Sequence, residues 1–321
     1  MKPRAGTLFA AAAPAAFLLA APFFLSTYWV MILTEILTMS LFAMSFNLLF
    51  GYTGLLSFGQ AGIFGAGGYF AVLSLIHGPS SLWAAFAAAL LGSALLSMII
   101  GWFCVRRDEI YFAILTLGFG MMLFTVAHNW RGLTGGSDGL GGFTLPPLDL
   151  LFWRGSLADP RHFYFLVLGV VFLGALLLYR MVHSPFGLLL RSIRENTQRL
   201  SFVGADVRAV RLCAFVVAGT LAGLAGVLFA FFNRIASPEM LHWSFSGKAV
   251  LMTILGGSGV LFGPAVGAAI FYVLEHVITA HTTNWMVFLG AILVVLVLAF
   301  PRGVLGSLLH LAARRRGRPR P

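Results

Sequence analysis

The sequence predicts an all-α polytopic membrane protein of about ten transmembrane or partly spanning helices, with both termini cytoplasmic. Three observations carry this. Of the 321 residues, 60% are hydrophobic and only 10% charged, where an ordinary soluble domain has roughly 25% charged. The apolar residues gather into ten separate runs, most of them near the ~20 residues needed to cross a bilayer. The basic residues collect in alternate connections, as the positive-inside rule requires.

The first run, 7–25, follows Lys2 and Arg4. Its basic start and small residues also fit a cleavable signal peptide, but its length suffices to span and the topology takes it as a retained helix. The next runs are 28–50, 57–76, 82–105, 110–128, 162–182 and 211–232, followed by 247–257, 261–279 and 285–300. The 247–257 run is too short to cross alone and reads as half of a broken or re-entrant helix, which is tolerated only where protein or water covers the loosened backbone. With both ends inside, the cytoplasmic face carries Lys2, Arg4, Arg106, Arg107, the six arginines of 180–211, Arg302 and the five of 314–320, which is 16 of 21 basic residues. The outer face keeps Arg131, Arg154, Arg161, Arg234 and Lys248. Residues 1–310 are thus one transmembrane domain, with an external loop at 129–161, a cytoplasmic loop at 183–211 and a basic cytoplasmic tail at 311–321.

The 183–211 loop is the most informative stretch. Ser184 is placed to cap a helix and Pro185 suits its first turn. At about 100° per residue, Phe186, Leu189, Leu190, Ile193 and Leu200 share one face, and Arg191, Arg194, Glu195 and Gln198 the other. Gly204 is placed to end this helix and Asp206 to cap the next. The loop is read either as a docking surface or as arginines that only fix orientation.

Two glycine-rich tracts lie within the membrane, LLSFGQAGIFGAGGYF (55–70) and LGGSGVLFGPAVGAAIFY (255–272). Gly62, Gly65, Gly263 and Gly267 have the small-xxx-small spacing of tightly packed helices, and Pro264 marks an interruption. The similar endings at Gly65–Phe70 and Gly267–Tyr272 hint at a duplicated unit. Asn47, Ser57 and Gln60 flank the break between the second and third runs. They either hydrogen-bond a passing substrate or satisfy backbone freed by the glycines.

Other intramembrane polar groups are Glu35, His128, Lys248, Glu275 and His276. A charge at mid-bilayer costs at least ~2.5–3.5 kcal/mol, so each is a candidate for function, although Glu35, Lys248, Glu275 and His276 lie near enough to helix ends to snorkel.

Net charge of +11 comes from short loops rather than a basic stripe with interleaved aromatics, which argues against nucleic acid. Cys104 and Cys213 form neither a disulfide framework nor a metal motif. No paired carboxylates, Ser-His-Asp order or HExxH motif is present, so no catalytic residue is assigned. The external LTGGSDGLGG (133–142) lacks the order of a phosphate-binding loop and reads as a turn-rich loop for a partner or lid.

These stretches taken together, NLLFGYTGLLSFGQAGIFGAGGYFAVL (47–73), RRDEIYFAILTLGFG (106–120), LTGGSDGL (133–140), SPFGLLLRSIREN (184–196), ILGGSGVLFGPAVGAAI (254–270) and FPRGVLG (300–306), resemble the permease family of bacterial ABC importers for branched-chain amino acids, and within it the LivM-type subunit. The resemblance runs from about Thr34 to Leu305. It implies that Ser184–Gly204 is a coupling helix seated in a groove of an ATPase subunit. Ser184, Pro185, Phe186, Gly187, Leu190, Arg191, Ile193, Arg194, Glu195, Asn196 and Gly204 carry that role, while Asn47, Ser57 and Gln60 are candidates for the translocation path. The family continues Arg-Glu-Asn with Glu, alanines and Gly-Ile, whereas here Thr197-Gln198-Arg199 and Gly204-Ala205-Asp206 follow.

The resemblance further implies residence in the bacterial inner membrane, a LivH-type second permease, two cytoplasmic ABC ATPases that use ATP and Mg²⁺, and a periplasmic substrate-binding protein. No Walker A sequence occurs in the chain, so ATP hydrolysis falls to the partners, and the chain binds no cofactor of its own. Related permeases for urea, amides or aromatic acids are an open alternative for the solute. A rival class is a secondary transporter coupled to an ion gradient through Glu35, Glu275 or His276; a third is a membrane scaffold.

Overall fold

A computed structural model of the chain describes residues 16–106, 109–150 and 153–315. Lys2, Arg4, residues 7–15 of the first apolar run, Arg107 and the 316–321 end of the basic tail lie outside the described residues. Residues 16–24 are helical, and each of the nine later runs forms a helix. These are α1 (Thr27–Asn47), α2 (Gln60–His77), α3 (Leu82–Cys104), α4 (Glu109–Asn129) and α5 (Pro160–Val182). After the short loop helices α6 (Pro185–Glu195) and α7 (Thr197–Phe202) come α8 (Val207–Asn233), α9 (Trp243–Gly256), α10 (Gly263–Thr279), α11 (Trp285–Ala299) and α12 (Val304–Arg315).

Among the described residues, six helical stretches are long and apolar enough to cross a membrane: Thr27–Thr53, Leu82–Cys104, Ile110–Asn129, Pro160–Val182, Val207–Asn233 and Val287–Leu308. Gly263–Thr279 is a shorter apolar helix. The expected ten are therefore six full-length spans joined by shorter or broken segments. The central element is α1, 78% of whose apolar window is buried, packed between α5, α8 and α10. It buries polar groups harmlessly because Thr34, Thr38 and Ser40 return their hydroxyls to carbonyls one turn back, at 2.7, 2.9 and 2.6 Å.

Small residues set the closest approaches. A Cβ on Gly67 of α2 would stand 2.4 Å from the Cα of Gly223 on α8, so the two backbones touch with no side chain between them. The tract reading of tight packing holds at Gly267 as well, whose Cβ would lie 1.8 Å from the Met252 carbonyl. The 14-residue α9 and 17-residue α10 thereby form an antiparallel hairpin around the 257–262 turn, which accounts for the short eighth run. Pro264 does not interrupt a helix; it sits in the first turn of α10, where its missing N–H costs nothing.

The 129–161 loop is turn-rich as expected, with Gly135, Gly136, Gly139 and Gly142 all at positive φ. It also pairs Leu140 with Ala236 and Gly141 with Ile235 in one small ribbon, and Leu148–Leu150 with Trp153–Gly155 in a second. Asp159 caps α5 by accepting from the Arg161 N–H at 2.9 Å.

Candidate functional site

The 183–206 loop folds as two helices rather than one. Pro185 opens α6 at Ser184, but the Ser184 hydroxyl donates back to the Met181 carbonyl at 2.6 Å and caps no helical N–H. Gly187 is required by space, since its Cβ would meet the Val182 carbonyl oxygen at 2.1 Å. Leu190 and Ile193 are buried, Phe186, Leu189 and Leu200 half-buried, and Arg191, Arg194, Glu195 and Gln198 exposed, which is the amphipathic division that the periodicity predicts.

The expected continuous helix to Gly204 stops at Asn196, where the backbone is extended at φ −162° and ψ 102°. The Asn196 side chain accepts from the Arg199 N–H at 2.9 Å and so starts α7 as its cap. Gly204, at φ 86°, follows the end of α7, and Asp206 caps α8 by accepting from the Arg208 and Ala209 N–H groups at 3.0 and 3.1 Å. Sequence reasoning missed the tip of this loop. Phe202 and Val203 are 88% and 83% exposed, next to the polar and charged residues of α7.

The loop rests on two breaks in the spanning helices. After Asn47, α1 widens into a π-helical turn, Leu48–Thr53, a geometry frequent at functional sites. Arg194 of α6 donates a hydrogen bond to the Gly51 carbonyl in that turn, and the Arg191 guanidinium lies 5.5 Å from the centre of the Tyr52 ring, within cation–π range. The second break is the 257–262 turn of the α9–α10 hairpin. Asn47 ties the two together: its amide donates to the Val260 carbonyl at 3.0 Å and its side-chain oxygen accepts from the Gly259 N–H at 3.1 Å. Gly51 leaves room for this clamp, because a Cβ there would stand 2.0 Å from the Asn47 Oδ1 and 2.6 Å from the Gly259 nitrogen. Gly51, Tyr52, Arg191, Arg194, Glu195 and Gly259 line an open cleft of ≈ 370 Å³.

Asn47 is thus spent on backbone at the loop side. Ser57 and Gln60 stand apart from it, Ser57 in the second half of the break and Gln60 at the first residue of α2. Both are fully buried, and the Ser57 hydroxyl and both polar atoms of the Gln60 amide have no hydrogen-bond partner among the described residues. Nearby, the Ala61 N–H donates to the Ser246 hydroxyl of α9 at 2.9 Å.

The intramembrane ionisable residues are drawn together instead of reaching separately for an interface. Lys248 of α9 pairs with Glu275 of α10 at 3.1 Å. Glu35 of α1 shares a cleft with Tyr272, Glu275 and His276. His128 stacks on Phe124, with ring centres 5.6 Å apart. No group of three or more His, Cys, Asp or Glu placed to hold a metal occurs among the described residues.

Broken spanning helices, with an amphipathic helix fastened to the first break and an exposed apolar tip beyond it, define a polytopic membrane protein. The family described as branched-chain amino acid transport system / permease component matches residues 28–297, and the chain belongs to it. It is therefore a transport subunit rather than an enzyme. The chain is 28% identical over 304 residues to the high-affinity branched-chain amino acid transport system permease protein LivM of Escherichia coli, covering 88% of this chain and 71% of that protein. It is 25% identical over 289 residues to the LivH permease protein of Salmonella typhimurium, covering 84% and 91%. A solved structure, PsaBC from Streptococcus pneumoniae in complex with Fab, matches with a TM-score of 0.44 at 16% identity over 93% of this chain and 99% of that one.

Proposed function

We propose that the chain is one of two permease subunits of an ATP-driven importer in a bacterial inner membrane. It carries branched-chain amino acids of the Leu/Ile/Val type, or close chemical relatives, delivered by a periplasmic binding protein. The second permease is LivH-type, and two cytoplasmic ATPases supply the energy with ATP and Mg²⁺. The basic 183–211 side faces the cytoplasm, as the charge distribution favours.

The observation that carries this reading is the fastening of α6 to the π-helical turn, which Asn47 ties to the second break, with Phe202 and Val203 left bare. A solvated loop whose arginines only fix orientation has no need for a buried Leu190–Ile193 face, an Arg194 hydrogen bond and an exposed apolar tip. Ser184–Gly204 is the element that the ATPase grips, with Phe202 and Val203 as the apolar anchor. Closure of the two ATPases displaces α6. The displacement reaches the π-helical turn through Arg194 and Arg191, and the α9–α10 hairpin through Asn47. The two breaks are the bistable elements that such a push biases between outward-open and inward-open states. Ser57 and Gln60, buried behind the first break with unspent polar atoms, line the inner part of the path.

The test is affinity purification of the tagged chain from native membranes. Wild type is expected to recover an ATPase and a second permease. Phe202→Glu is expected to lose the ATPase while keeping the permease. Arg194→Gln is expected to keep both and to lose uptake, because it cuts the link inside the subunit rather than the docking contact. Recovery of the ATPase by Phe202→Glu at the wild-type level would refute the docking assignment.

A further inference from the structure

The permease reading leaves unexplained the cleft at the other end of α1 and α10, and the inference drawn from it rests on that reading. This cleft is ≈ 510 Å³ and open to the surface, lined among others by Tyr28, Glu35, Tyr272, Glu275 and His276. Its volume falls within the ≈ 300–1,000 Å³ of small-molecule sites. Glu35 stands about 12 Å along the helix from Thr27, so the charged groups lie inside the spanning part of the subunit. Ionisable residues at that depth face a bundle interior or an aqueous cavity, not lipid. The open side of the cleft is therefore covered by the second permease or by the path between the two.

The chemistry of the cleft is specific. Lys248 spends one of its three N–H donors on Glu275 Oε1 at 3.1 Å, and its ammonium is held 5.6, 5.8 and 5.9 Å from the ring centres of Phe245, Phe271 and Tyr272. The second carboxylate oxygen of Glu275 is buried and has no hydrogen-bond partner among the described residues. Glu35 lines the same cleft beside Tyr272. His276 turns Nδ1 to the Tyr272 carbonyl at 3.0 Å, which leaves Nε2 for another partner. Glu275 thus presents a buried acceptor that the described residues leave unpaired, and a buried acceptor calls for a donor.

We infer that this cleft is a transient binding site for the head group of the transported amino acid. The substrate ammonium is received by Glu275 Oε2, Glu35 and the free Nε2 of His276, an acceptor because Nδ1 donates to the Tyr272 carbonyl, and its carboxylate lies against the remaining donors of Lys248. The site lies at the end of the subunit opposite the ATPase-coupling loop, where solute released by a binding protein enters. The apolar side chain of the solute finds the aromatic rings of Tyr28 and Tyr272.

The experiment measures binding of radiolabelled L-leucine to the complete transporter in nanodiscs, without binding protein. Isoamylamine and 4-methylpentanoate are the competitors, and uptake is measured in cells alongside. Glu275→Gln and Glu35→Gln are each expected to weaken leucine binding and reduce uptake about tenfold or more, with recovery of the complex unchanged. Isoamylamine, which keeps the ammonium, is expected to compete better than 4-methylpentanoate, which lacks it.

The double variant K248E/E275K separates binding from support. It keeps the ion pair but moves the carboxylate to the wrong helix, so assembly is expected to persist and binding to stay lost. Restoration of uptake by this swap would show that the pair only holds α9 to α10 and would overturn the proposal. Equal leucine binding by wild type and both single variants would overturn it too. Failure of any ATPase to co-purify would instead overturn the importer reading on which the proposal rests.

Discussion

Replacing Asn47 by alanine removes the one side chain that joins the two helix breaks, and its cost can be worked from the geometry. The clamp consists of two hydrogen bonds, 3.0 Å to the Val260 carbonyl and 3.1 Å from the Gly259 N–H. Deleting the amide leaves one acceptor and one donor without a partner, and each such group costs about 1–3 kcal/mol when water cannot reach it. Gly259 and Val260 are half-buried rather than fully so, which places the total near the lower end, about 2–4 kcal/mol. Asn47→Asp keeps the acceptor for Gly259 but turns a second oxygen towards the Val260 carbonyl, so it should do no better than alanine.

The assay is thermal unfolding of the detergent-solubilised subunit, followed by leucine uptake in cells. A chain of this size loses roughly 2–4 °C per kcal/mol, so a fall of several degrees is expected together with impaired uptake. A protein that melts like wild type but no longer transports would refute the argument. Asn47 would then act on the solute rather than as a clamp.

Other predictions follow from the same contacts. Gly67→Val should prevent recovery of folded protein, because the new side chain meets the Gly223 backbone and overpacking against unyielding atoms costs at least about 1–3 kcal/mol; Gly118→Ala, at a site with nothing within 4 Å of the added methyl, should be neutral or mildly stabilising when yield and melting are compared. Asp206→Ala should lower stability by about 0.5–2 kcal/mol through loss of the α8 cap, measured by the same melting assay. In a background lacking Cys104 and Cys213, Phe202→Cys should react with a membrane-impermeant maleimide only after the cytoplasmic side is opened, and Ser137→Cys in intact spheroplasts; the reverse pattern would invert the topology.

Much of this arrangement was legible in the chain. The apolar runs located the helices, and the loop periodicity sorted Leu190 and Ile193 from Arg191 and Glu195, because burial and period are local properties of an amphipathic helix. Asp206 and Gly204 were readable for the same reason. The break at Asn196 had a signal, a strong capping residue three positions before Arg199, but it was masked by apolar spacing that continues to Leu200. The π-helical turn had none. It is held by Arg194 and by a clamp to residues more than 200 positions away, and no local pattern encodes a partner at that separation. The Lys248–Glu275 pair was hidden likewise, each residue looking like a lone charge near a helix end until α9 and α10 fold together as a hairpin.

The contact between Gly67 and Gly223 constrains how the subunit moves. Side chains at an ordinary helix interface can change rotamer and let one helix slide past the other by small steps. Where two backbones touch, no such bearing exists, and sliding would require the helices to separate first. α2 and α8 therefore travel as one stiff strut, with α3 laid against both. On the proposed coupling role of Ser184–Gly204, a push arriving there is not absorbed by bending that strut. It is released where the chain is already interrupted, so under that proposal the glycines that pack one half of the subunit leave the motion to the other half.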